Sequence, residues 1–119
     1  MIKVKRIYDP PAKDDGFRVL VDRLWPRGVR KDEAGIDLWL KEVAPSTELR
    51  RWYGHDPAKW AEFRRRFRAE LQRQPDAVAL LRDKADHGTL TLLYSSREPE
   101  RNNAVALKAI LGASNATVS

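Results

Sequence analysis

The order of elements in this chain predicts an α/β fold: a small three-layer domain with a short, mainly parallel sheet and several flanking helices. Three observations carry that expectation. Residues 17–25 (FRVLVDRLW) and 89–96 (TLTLLYSS) are short apolar runs with hydrophobic side chains on both faces, the signature of strands covered on both sides. Between them lie several segments of helical period. A long helical crossover between two strands makes them parallel. The 119 residues suit one domain on the usual scale of roughly 100–200 residues, with one core. We place that domain at 1–112 and expect the small, polar tail 113–119 to fray.

Each element follows from local chemistry. Ile2, Val4, Ile7 and Tyr8 form a β-branched opening strand whose direction stays open, because the following connection permits a hairpin without demanding one. Pro10, Pro11 and Gly16 break it, and Pro26 and Gly28 end the second strand. From about Asp32 the spacing of Ile36, Leu38, Trp39, Leu40 and Val43 predicts a helix up to Ala44-Pro45. Ser46 caps a short helical turn through Glu48, Leu49 and Trp52. Asp56-Pro57 starts the next helix, with a carboxylate at the cap and proline where no N–H is needed. Its stripe is Trp60, Phe63, Phe67 and Leu71, and it runs to about Arg73. Pro75-Asp76 opens a further helix lined by Val78, Leu81 and Ala85, closing at Gly88. After the last strand, Asn102 or Asn103 caps a final helix carrying Val105, Leu107, Ile110 and Leu111, which stops at Gly112.

Composition narrows the chemistry. Hydrophobic residues make up 42% and charged residues 34%, a globular rather than disordered balance. Cysteine is absent, which removes disulfides, thiolate nucleophiles and cysteine-held zinc or iron–sulfur centres. No apolar stretch approaches the ~20 residues of a membrane span, and the start MIKVKRIYD has no secretory apolar region. The expectation is a soluble cytoplasmic protein without a membrane partner.

Ligands of open α/β sheets bind beyond the carboxyl ends of the strands. Two loops should meet there: 22–28, with Arg23, Trp25 and Arg27, and the segment after the last strand, with Tyr94, Ser95, Ser96, Arg97 and Asn103. Arginine forks recognise carboxylate or phosphate, and the start of the last helix favours an anion. Two readings stand for Arg23, a ligand contact or a partner for Asp22 or another carboxylate; Trp25 has core as its other reading. His55, in the aromatic turn after Trp52-Tyr53-Gly54, is the better of two histidines, with packing or capping as its other reading. His87 suits a helix C-terminus. Ser95 and Ser96 lack a nucleophile-elbow motif, and no metal-ligand spacing is present. The sequence names no cofactor and leaves open whether there is catalysis and what the oligomeric state is.

The net charge of +6 is uneven. Residues 1–31 carry nine basic and four acidic side chains, 32–49 one and five, 50–73 eight and three, and 74–119 five of each. On the helix of the third block, Glu62 and Glu70 flank Arg66 and Glu62 reaches Arg65. Arg64 and Arg68 have no acidic neighbour at helical spacing. Internal carboxylates, solvent or a polyanion could compensate them, although no nucleic-acid motif is present.

The string Val21-Asp22-Arg23-Leu24-Trp25-Pro26-Arg27-Gly28, followed by Trp39, Ala44-Pro45-Ser46, Leu49-Arg50 and Trp52, resembles the YeaO-like proteins, a bacterial family within a larger group of domains of unknown function. The resemblance continues through His55, Trp60, Phe63, Glu70-Leu71, Thr91-Leu92-Leu93-Tyr94 and Asn103-Ala104, covering residues 2 to 111. It implies a small α/β domain with a pocket between the two loops. Relatives in the wider group carry a Cys-His-Arg cluster after the last strand. Glu100-Arg101-Asn102-Asn103 stand there in this chain, so thiol chemistry does not carry over.

Three functional expectations result. The leading one is binding of a small anion, carboxylate or phosphate, by Arg23, Arg27 and Arg97, with Ser95, Ser96 and Asn103 donating and Trp25, Tyr94 and His55 forming the wall. The second is nucleic-acid binding by the basic helix around Arg64 and Arg68. The third is a structural or interaction protein using its tryptophan-rich middle.

Overall fold

The computed structural model describes residues 1–118, with side chains described through residue 112. Four strands, β1 (Ile2–Arg6), β2 (Phe17–Leu20), β3 (Leu38–Trp39) and β4 (Leu90–Tyr94), form one sheet in the order β1-β4-β2-β3. Every pairing is parallel. The direction left open by the sequence is thus settled: β1 runs beside β4, with Val4 opposite Leu92 and Arg6 opposite Tyr94. All strand carboxyl ends consequently point the same way.

Side-chain alternation along these strands gives the sheet two unlike faces. Ile2, Val4, Phe17, Val19, Leu38, Leu90, Leu92 and Tyr94 share one face and one apolar cluster. The helices α1 (Thr47–Tyr53), α2 (Trp60–Leu71), α3 (Pro75–Asp86) and α4 (Asn103–Val118) all contribute to that cluster, through Leu49, Phe63, Phe67, Leu81, Leu107 and Leu111 among others. The opposite face carries Leu20, Leu93 and Trp39, joined by Ile7 and packed against Trp25, Val29 and Ile36. The layer covering it is made of the loops between β1, β2 and β3 rather than of helices.

The amino half of that second face is charged. Asp15, fully buried, accepts from Lys3 (3.3 Å), Lys5 (3.0 Å), the Ala12 N–H (3.0 Å) and Arg18. Arg18, itself buried, also donates to the carbonyls of Gly35 and Ala34. Burial alone would raise the Asp15 carboxyl, but the Ala12, Lys5, Arg18 and Lys3 hydrogen bonds outweigh it and hold the carboxyl well below the usual range. Gly16 makes the turn into β2 with φ +63°. A Cβ there would lie 2.1 Å from the Thr89 carbonyl oxygen, so only glycine fits.

Several boundaries differ from expectation. The segment read as a helix from Asp32 is a loop leading to β3, followed by a short 3₁₀ turn, Lys41–Val43. Leu38 and Trp39 are both apolar because they face opposite sides of the sheet, which imitates helical spacing over so short a run. Asp37 fixes this strand: its carboxylate accepts from the Arg18 N–H while its own N–H reaches the Arg18 carbonyl. β2 ends at Leu20, although Val21 still donates to Leu93; beyond it Asp22 turns to side-chain partners. The caps follow the sequence more closely. Ser46 accepts from the Leu49 N–H, and Asp56 from the Ala58 N–H. Asn102 resolves the choice at α4 by accepting from the Val105 N–H. α4 does not stop at Gly112 but runs to Val118, and the side chains of the tail 113–119 fall outside the described residues. Among the described residues, no helix is long and apolar enough to cross a membrane.

Candidate functional site

Because all strands are parallel, their carboxyl ends open on one edge, and an open cleft of about 1380 Å³ lies there. Arg6 enters from the end of β1, residues 22–27 from the end of β2, and Ser95, Ser96 and Arg97 from the end of β4. Thr47, Arg50, Arg51 and Tyr53 of α1 close the third side, with His55 just beyond it.

Asp22 joins the two loops. Its carboxylate accepts from the Ser95 N–H (2.9 Å), the Ser95 hydroxyl (2.6 Å) and the Asn103 amide (3.0 Å). Asn103 gives a second N–H to the Val21 carbonyl at 2.9 Å. The Trp39 indole donates to the Asp22 carbonyl at 2.8 Å, and its ring meets Trp25 edge-on, with centroids 5.3 Å apart. The Trp25 indole in turn donates to Val29. The loop conformation is therefore set by the sheet beneath it rather than by a ligand.

Two arginines are held in the same rigid way. Arg23 donates through Nε to Pro45 (3.1 Å) and through Nη2 to Ala44 (3.3 Å). Arg6 donates to the carbonyls of Ser96 and Ser95 at 3.0 and 3.2 Å. Carbonyls orient a guanidinium without cancelling its charge, and each fork keeps N–H groups to spare. Arg27, Arg50, Arg51 and Arg97 are exposed around them. Among the described residues none of these six arginines has a carboxylate within ion-pair distance. Among the described residues Asp22 is the only acidic one lining the cleft, and it is engaged by Ser95 and Asn103.

Of the nine residues singled out from sequence, the cleft is lined by Arg23, Trp25, Arg27, His55, Ser95, Ser96, Arg97 and Asn103. Tyr94 is not among its walls. It shares the sheet face of Leu90 and Leu92 and lies in the core, where burial raises its phenol pKa. Two expected donors are also already committed: the Ser95 hydroxyl and both amide hydrogens of Asn103 hold the loops together. The Ser96 hydroxyl oxygen accepts from the Glu98 N–H and keeps its hydrogen. Among the described residues Arg23 takes neither Asp22 nor any other carboxylate. His55 follows Gly54 in left-handed backbone, at φ 57°, and its ring stands 5.7 Å from Tyr53. The tyrosine hydroxyl donates to the Arg101 carbonyl, and burial raises its pKa.

Arg6, Tyr8, Asp22, Arg50 and Arg51 were not expected at the site as ligand contacts. A known direction for β1 would have brought Arg6 to the strand-end edge, and the basic block beginning at residue 50 was the available signal for α1. Among the described residues no group of three or more His, Asp or Glu side chains is placed to hold a metal ion.

The comparisons with known proteins agree on the kind of chain this is. It is 44% identical over 106 residues to the uncharacterized protein YeaO of Escherichia coli (strain K12), covering 89% of this chain and 92% of that protein. It is 42% identical over 110 residues to an uncharacterized protein of Mycobacterium bovis, covering 92% of each. An uncharacterized protein of Mycobacterium tuberculosis matches to the same extent. No solved structure matches. With residues 1–118 matching the family described as the inactive DUF488-N3 subclade, and with a YeaO-like sequence over most of its length, the chain belongs to that family of domains of unknown function.

Proposed function

We propose that the protein is a soluble cytoplasmic binding protein for a small anion, carboxylate or phosphate, held in the strand-end cleft. The observation that carries this reading is the set of six arginines, two of them oriented by backbone carbonyls, against a single cleft carboxylate, Asp22, with none of the six in ion-pair distance of a carboxylate among the described residues. Fixed guanidinium forks with spare N–H groups bind oxyanions bidentately. Arg23 and Arg6 provide the oriented donors, Arg27 and Arg97 the surrounding charge, and Ser96 a hydroxyl. Trp25 and His55 supply wall. The family description "inactive" is consistent with a reading that needs no turnover.

Replacing Arg23 with Lys keeps a charge but loses the fork. It should weaken orthophosphate or citrate binding, followed by thermal shift and calorimetry, by about tenfold or more. Unchanged affinity in a folded variant would sink the site. The basic helix is less favourable as a second reading. Arg65 and Arg66 of α2 are both paired with Glu62, at 2.7 and 2.8 Å. Glu70 is turned away to the Ser46 N–H and hydroxyl. Of the α2 arginines, Arg64 and Arg68 lack a carboxylate among the described residues, and Arg64 lies over the Trp60 ring at 5.5 Å. The interaction reading has no exposed tryptophan to rest on, since all four are at least partly buried.

A further inference from the structure

Resting on the anion reading of the cleft, we infer that its ligand is a nucleoside di- or triphosphate. The first argument is charge. A single carboxylate or orthophosphate occupies one or two guanidinium forks, whereas this cleft gathers six against one carboxylate, Asp22, which accepts from neutral donors and pairs with none of them. Several negative charges in sequence are needed to match them. The second argument is size: about 1380 Å³ exceeds the usual span of a small-ligand pocket, roughly 300–1,000 Å³, and dwarfs one phosphate.

The third argument is apolar surface. Among the described residues, three large hydrophobic side chains are exposed, and two of them, Tyr8 (45%) and Leu24 (66%), line this cleft. Tyr8 is held rather than loose. Its hydroxyl donates to the Arg27 carbonyl at 2.9 Å, and the Arg6 guanidinium sits 4.6 Å from its ring centre. An apolar rim set beside un-neutralised arginines suits a ligand with a flat ring at one end and phosphates at the other. Inorganic polyphosphate offers only the second half. Leu24 and Tyr8 take the nucleoside; Arg6, Arg23 and Arg51 take the phosphates.

Calorimetry on the full chain with orthophosphate, pyrophosphate, ADP and a short thymidine oligonucleotide tests this. Pyrophosphate should bind at least about tenfold more tightly than orthophosphate, and ADP about tenfold more tightly again. Leu24→Ser should bring ADP down to the pyrophosphate level and leave pyrophosphate itself unchanged. Arg51→Ala, which removes an exposed side chain with no side-chain hydrogen bond among the described residues, should weaken both. ADP no tighter than pyrophosphate, pyrophosphate no tighter than orthophosphate, or an oligonucleotide tighter than ADP would each overturn the nucleotide assignment. Those outcomes leave the anion site standing if orthophosphate binding still depends on Arg23. Absence of all anion binding overturns both.

Discussion

The two ends of the sheet treat positive charge in opposite ways. At the amino end, Lys3, Lys5 and Arg18 converge on one buried carboxylate, Asp15, within 3.3 Å. At the carboxyl end, six arginines surround one carboxylate that none of them pairs with, and that carboxylate accepts only neutral donors. The first cluster is closed on itself and holds the loop layer to the sheet. The second is oriented by backbone carbonyls and left electrically open. Similar residue types therefore do different work, and partners, not composition, separate them.

Breaking the closed cluster should have the largest effect on stability. Asp15→Asn leaves Arg18 buried without its counter-charge, and losing one partner of a buried pair costs about 3–5 kcal/mol. Urea denaturation measures it. The pH dependence has a definite sign. The folded-state pKa of Asp15 is depressed, so its contribution is complete above the unfolded carboxylate value near ~4 and fades as pH falls below it toward the folded value. Acid titration of the native chain should show this loss, and Asp15→Asn should flatten that part of the curve. A variant as stable as the native chain would mean that the two ends differ less than their geometry indicates.

Asp22 tests the open end next. An asparagine there cannot accept from Ser95 and Asn103 together, because its amide nitrogen would face the Asn103 amide or the Ser95 donors. A cost of about 1–3 kcal/mol follows for an unsatisfied partly buried donor. Anion affinity should move the other way if the loops hold, since the cleft loses its one negative charge. A joint measurement of melting temperature and phosphate affinity separates the two. Affinity that falls along with stability would show that Asp22 acts on binding mainly by shaping the loops.

What the sequence shows and what it hides follow from the same contrast. Caps at Ser46 and Asp56 and the stripe of Trp60, Phe63, Phe67 and Leu71 are local features, and local features were legible. β3 was not, because its two residues pair with Val19 and Leu20 across eighteen intervening positions, and nothing short-range marks such a partner. The loops of the cleft could be placed by the rule for parallel strands. Which donors remained free could not, because Ser95 and Asn103 are spent on Asp22, distant in the chain. Arg6 was hidden for want of one bit of topology, the direction of β1.

The smallest effect is expected on α2, where the contrast can be manufactured. Glu62 binds Arg65 and Arg66, and these two hydrogen-bonding guanidinium groups hold its carboxyl down at about 2. The pairs are exposed, and surface pairs of this kind contribute little to stability. Glu62→Gln should thus leave the denaturation midpoint nearly unmoved. It would, however, turn a partly neutralised helix into one with Arg64, Arg65, Arg66 and Arg68 all without a carboxylate. If un-neutralised arginine is what makes a surface bind polyanions, retention on immobilised duplex DNA at low salt should increase, and the increase should vanish as salt is raised. Phosphate affinity at the cleft should not change, because Glu62 does not line it. Equal retention of the native chain and the variant would show that open charge alone is insufficient, and that the carbonyl-held geometry of Arg6 and Arg23 is what distinguishes the cleft.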